Sequence, residues 1–153
     1  MKKSFWYITP IMLLIIYVVV GCKKYDEGPS FSLRTKKARI TNEWKVYKVN
    51  YDDKENSNDF FNINQYCYFT INKDFTMSKE TKTNQTKTLT TGTWKFTDIH
   101  SVLEFDEKQI TQNDSIFIGR TQHEFIIIKL THKEIALKEK IAGHSITYYC
   151  NEK

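Results

Sequence analysis

Three cysteines and four histidines hold most of the reactive chemistry available to this chain of 153 residues. Cys22 closes an apolar run, whereas Cys67 and Cys150 lie far apart in the polar remainder. Alternation along a strand groups Cys67 with Phe69 and Ile71, and Cys150 with Ile146 and Tyr148, so both thiols are expected to point inward. Two readings stay open for the pair. In an exported protein they can form a disulfide. That bridge would close a loop of about 80 residues, for which loop-closure entropy gives about 4 kcal/mol. Alternatively they are two buried free thiols that behave as small hydrophobes.

His100, His123, His132 and His144 form no short-spaced pair, and no Cys or acid joins them at a metal-ligand spacing. His123 and Glu124 are adjacent, but neighbours on a strand face opposite ways. The histidines therefore read as surface or turn residues, and neither a metal nor another cofactor is expected. The acid pairs Asp52-Asp53 and Asp106-Glu107 fall in stretches read as solvated loops. Gly-x-Ser-x-Gly, a phosphate-cradling Gly-rich loop and His-Glu-x-x-His are all missing from the sequence. No catalytic residue can be nominated, and an enzyme is not expected.

The elements that must position these residues begin after an address. Met1-Lys2-Lys3 is a short positive start, and the run from Phe5 to Val20 carries no charge. Its length suits a signal-peptide core better than the ~20 residues of a spanning helix, and Pro10 lies inside it. The run ends in Val19-Val20-Gly21-Cys22, which resembles a bacterial lipobox. That resemblance implies cleavage between Gly21 and Cys22 and lipidation of the Cys22 thiol. Two or three acyl chains would anchor the protein stably, where one chain is marginal. Residues 1–21 are thus expected to be a lipoprotein signal peptide, and 22–37 the lipidated Cys and a tether. Lys23-Lys24 followed by Asp26-Glu27 resembles the surface-export signal of Bacteroidota lipoproteins. It implies the outer membrane of the cell envelope, with exposure at the surface.

Loss of Lys2 and Lys3 would trim the formal charge of +5, and the basic residues are nearly all Lys, with Arg only at positions 34, 39 and 120. That pattern is a solvated Lys coat and no nucleic-acid partner is expected.

From about residue 38 the chain alternates and turns, with hardly any helical periodicity. Strands are expected over Ile40–Val49, Tyr66–Ile71, Phe75–Thr83, Thr86–Phe96, Val102–Asp106, Ser115–Gly119, His123–Leu130, Glu134–Glu139 and Ser145–Cys150. Asn72-Lys73-Asp74 supplies a turn, and Ala142-Gly143-His144 another. Residues 51–59 are loop by composition. Eight or nine closely spaced strands with no helix between them point to an all-β, antiparallel up-and-down barrel, whose closure removes exposed edges. Trp44, Phe69, Trp94, Phe96, Phe105 and Tyr148 are the candidate interior.

The stretch Ala38-Arg39-Ile40-Thr41-Asn42-Glu43-Trp44-Lys45-Val46 resembles the opening strand of lipocalin-like domains found in Bacteroidota lipoproteins, and Gly92-Thr93-Trp94 repeats the Gly-x-Trp form in mid-chain. The hairpin Phe69-Thr70-Ile71-Asn72-Lys73-Asp74-Phe75-Thr76 is similar to the second-to-third strand turn of that group. Asn42 stands where Gly is usual, and no Arg follows Arg120 to stack over the Trp. The resemblance implies a lipocalin-like barrel over 38–153, with Trp44 plugging the closed end. It also implies a small apolar ligand bound without catalysis. A filled barrel that docks envelope proteins at the membrane surface is the alternative. An eight-stranded barrel can do either.

Overall fold

A computed structural model describes residues 34–97 and 101–153. Gly21 and Cys22, the signal peptide, most of the tether and His100 lie outside the described residues.

The chain forms α1 (Lys36–Ile40), β1 (Glu43–Tyr51), β2 (Lys54–Glu55), α2 (Ser57–Ile63), β3 (Asn64–Ile71), β4 (Thr76–Thr83), β5 (Lys87–Thr97), β6 (Val102–Gln112), β7 (Ser115–Leu130), β8 (Glu134–Ile141) and β9 (His144–Glu152). Successive strands pair antiparallel from β3 to β9, β3 pairs with β1, and β1 pairs with β9. The sheet therefore closes into an antiparallel eight-stranded barrel, with β2 as one extra strand beside β1. This all-β barrel is compatible with a lipocalin-like fold.

Turn chemistry closes the hairpins. Asp52-Asp53, Asn113-Asp114 and Ala142-Gly143 each place two consecutive residues at positive φ, the backbone that two-residue hairpins require. Asn, Asp and Gly accept it cheaply; Ala142 is the exception. Phe75 is the costly case, at φ 67. It is held there by its ring against Trp94, with centroids 5.3 Å apart, and by the Lys37 ammonium 3.5 Å above its face.

The barrel is sealed at one end. Trp44 is fully buried, and its indole N–H donates to the Ile40 carbonyl at 2.8 Å. Arg39 donates across to the Leu130 carbonyl at 3.1 Å, tying α1 over the plug. Trp94 donates its own indole N–H to the Asn72 carbonyl at 2.9 Å. Around them pack Phe69, Ile71, Met77, Leu103, Leu130 and Ile135, all buried.

Several elements differ from the sequence reading. Ile40 belongs to α1 and not to the first strand. A bulge between Val46 and Lys48 lets Val49 turn inward on the same strand as Trp44 and Val46, while Tyr47 stays exposed. The loop read over 51–59 contains β2 and the start of α2, whose Phe60 and Phe61 pack on the core. Ser115–Gly119 and His123–Leu130 are one strand, β7, with an irregular register opposite Glu107–Gln109.

Candidate functional site

The wall of a barrel shows one face inward, so the residues that alternate with the core decide what the interior can do. On β6, Leu103 and Phe105 are followed inward by Glu107; on β8, Leu137 is followed by Glu139. Both acids are buried. On β7, His123 lies two residues before the buried Phe125, opposite Phe105. On β4, Lys79 pairs with Phe69 and Thr90 and shares their inward face. On β9, Tyr148 is buried opposite Leu137. A belt of polar groups thus crosses the barrel above the apolar plug.

Within the belt His123 joins the two acids. Its Nδ1 lies 2.6 Å from Glu139 Oε1 and its Nε2 3.4 Å from Glu107 Oε2. The Glu139 hydrogen bond, with the negative charge of both acids, raises the His123 pKa above its ordinary 6.5 against the opposing effect of burial. Lys79 is half-buried, and its ammonium donates to Tyr148 Oη at 3.4 Å. Burial opposes that charge, but Tyr148, Cys67 and Glu139 outweigh it, so the Lys79 pKa lies above the ordinary value. Burial likewise pushes the Tyr148 hydroxyl up.

A cavity of about 180 Å³ opens beside this belt, lined by Lys79, Thr81, Thr90, Phe105, Glu107, His123 and Phe125. The rings of Phe105, His123 and Phe125 run nearly parallel along one side, with centroid spacings of 5.9 and 6.2 Å and interplanar angles of 25° and 18°. A wider groove of about 550 Å³ lies outside the barrel along Thr41–Glu43 and Thr70–Asp74.

The proposed interior residues fall in distinct places. Trp44, Phe69, Trp94, Phe105 and Tyr148 are buried, and Phe96 is partly buried against the core. Only Phe105 among them lines the cavity; Trp44 and Trp94 serve the sealed end. Cys67 and Cys150 are both buried and free, so the disulfide reading is not the one the fold holds. The reason is register. Lys45 on β1 pairs with Tyr68 on one side and Asn151 on the other, so β1 runs between the two cysteines. Two strand spacings are ~9.5 Å, beyond the ~7 Å that a bridge tolerates between Cα atoms. Burial pushes the Cys67 thiol up to about 11 and Cys150 well above its ordinary value, which keeps both protonated and unreactive.

His123 is the residue that the spacing argument missed. Its acidic partners are 16 residues away on either side, too far for a local motif. His144 does sit at a turn, 2.8 Å from Asp52 and stacked on Tyr51. Among the described residues, no group of three or more His, Cys, Asp and Glu is arranged to hold a metal ion.

Comparison of the chain with protein-family models, with curated proteins and with solved structures finds no match.

Proposed function

We propose that the chain is a lipid-anchored envelope protein whose barrel binds a small ligand without transforming it. The observation that carries this reading is the partly open cavity beside Lys79, walled by Phe105 and Phe125, in a barrel sealed at its other end by Trp44. The ligand is not wholly apolar: five of the seven lining residues are polar or charged. Binding is favoured over catalysis by the state of the reactive groups. Both ring nitrogens of His123 already face carboxylates, so neither is spare to take a proton from a substrate. The two thiols are held protonated. The lipobox resemblance at Val19–Cys22 supports the anchor, and the Lys23-Lys24 and Asp26-Glu27 stretch supports the placement at the outer membrane.

Native mass spectrometry of protein extracted gently from its own membrane tests both parts. Acyl mass on Cys22 and a co-released small molecule are the expected result. An unmodified Cys22 overturns the anchor, and an empty barrel that no small molecule enters overturns the binding reading.

A second reading rests on a separate observation. β7 pairs with β6 over Ser115–Ile126 but with β8 only over Phe125–Leu130. Its first half stands clear of β8 and exposes Ile116, Phe117 and Ile118, the last at 90%. An open apolar strand edge is a template for an added strand, so an envelope protein would dock there. Photo-crosslinking from position 118 in cells should give one discrete adduct, abolished by Ile118→Lys; a diffuse smear or none removes this reading.

A further inference from the structure

We infer that the ligand is a small organic anion built on a single flat ring, with its carboxylate on Lys79 and its ring against the Phe105–His123–Phe125 wall. This rests on the binding reading above and gives it a chemical class.

Size comes first. A cavity of about 150 Å³ holds benzene, and a water-sized group takes ~30 Å³. The space here is about 180 Å³, which leaves room for one ring and one substituent of carboxylate size. Drug-sized ligands need pockets of ~300 Å³ or more.

Shape comes second. Phe105 and Phe125 each lie nearly parallel to the His123 ring, at 25° and 18°, so the cavity is walled by aligned ring systems. Offset stacking on such a surface rewards a planar ring over a flexible chain.

Charge decides the substituent. Glu107 and Glu139 already share His123 as their cation. Lys79 has no carboxylate within 4.0 Å among the described residues; its hydrogen-bond partner is a neutral hydroxyl, and its other close neighbours are the faces of Tyr148 and Phe69 at 4.9 and 5.6 Å. An ammonium carries three donors, so Lys79 brings unspent donors to the cavity wall; its charge is favoured at longer range by Glu139, and Glu107 lines the same cavity. A buried charge of that kind is stabilised most by a direct counter-ion.

Calorimetric titration of the full-length, detergent-solubilised protein with benzoate, benzamide, benzylamine and acetate tests the assignment. Benzoate should bind tightest, and acetate, with charge but no ring, should bind more weakly. Lys79→Met should weaken benzoate about 10- to 100-fold, as expected for loss of a charged hydrogen bond, and leave benzamide nearly unchanged. Thr90→Phe, which fills the cavity from β5, should block every ring probe and guards against a misfolded Lys79 variant. If benzamide or benzylamine matches benzoate, or Lys79→Met leaves benzoate binding intact, the anion class is wrong while the binding reading stands. If none of the ring probes binds the wild-type protein, both fall.

Discussion

At the scale of the residue, the interior is set by two side chains with opposite demands. Trp44 is an apolar body with one polar handle, and the fold satisfies both: the ring is fully buried and the indole N–H reaches the Ile40 carbonyl. Trp44→Ala should therefore cost about 3–5 kcal/mol, read as a lower denaturation midpoint in urea, and should loosen α1 from the sealed end. His123 lies between two buried acids, and its effect depends on pH. Its pKa is raised in the folded protein, mainly by Glu139. A raised histidine contributes stability fully below its unfolded value and loses it as pH rises through the folded value. Thermal melts should show stability falling as pH climbs from about 6.5, before the thiol and phenol range is reached. In His123→Gln this slope should vanish, and the protein should be less stable than wild type below the folded pKa, where Glu107 and Glu139 lose their cation. A wild-type curve flat across that window would mean the imidazole stays neutral between the carboxylates.

At the scale of the element, the least forgiving position is a glycine. Gly92 sits on β5 where the register slips against β6, and a Cβ added there would lie 2.0 Å from the Asp106 carbonyl oxygen and 2.9 Å from the Phe105 ring. Backbone cannot yield as a side chain can, so Gly92→Ala should destabilise by about 3 kcal/mol or more. Gly119, where the nearest atom to a Cβ is Glu107 Oε1 at 3.5 Å, should accept Ala within about 0.5 kcal/mol. Chemical denaturation of the pair checks the contrast; equal costs would show that strand propensity, and not close approach, governs both sites. The same strands show what was legible in the sequence. Alternation of apolar residues located most strands and the inward faces of β3 and β5. Continuing it two residues past Phe105 and Leu137, and two before Phe125, also places Glu107, Glu139 and His123 inside. The polar belt was thus readable, but only by trusting period over polarity. The slip between Val46 and Lys48 was not readable, because a bulge inserts a residue without a compositional mark. Nor was α2, a short helix held by Phe60 and Phe61 packing on the core and not by its own periodicity.

At the scale of the whole molecule, the barrel is apolar inside at its sealed end and charged outside. Lys95–Glu104, Lys87–Glu80 and Lys153–Glu43 pair across the outer surface at 2.6, 3.2 and 3.1 Å. A barrel that crosses a bilayer shows the reverse, a lipid-facing apolar band ~25 Å tall. The three ion pairs put charge on the outer wall, and under the proposed anchor a lasting hold on a membrane would come through acyl chains at Cys22. Two or three chains bury enough methylene groups, at ~0.8 kcal/mol each, to make release negligible. On that proposal, removing the sulfur removes the attachment point. Cys22→Ser should leave the precursor unprocessed at Gly21 and free of acyl mass. After enzymatic removal of the signal segment, it should leave a barrel that stays in the aqueous phase of a detergent partition while melting at the wild-type temperature. If that trimmed variant still partitions with detergent, a surface of the barrel binds lipid; the exposed Ile116–Ile118 edge of β7 is then the part of the wall to mutate next.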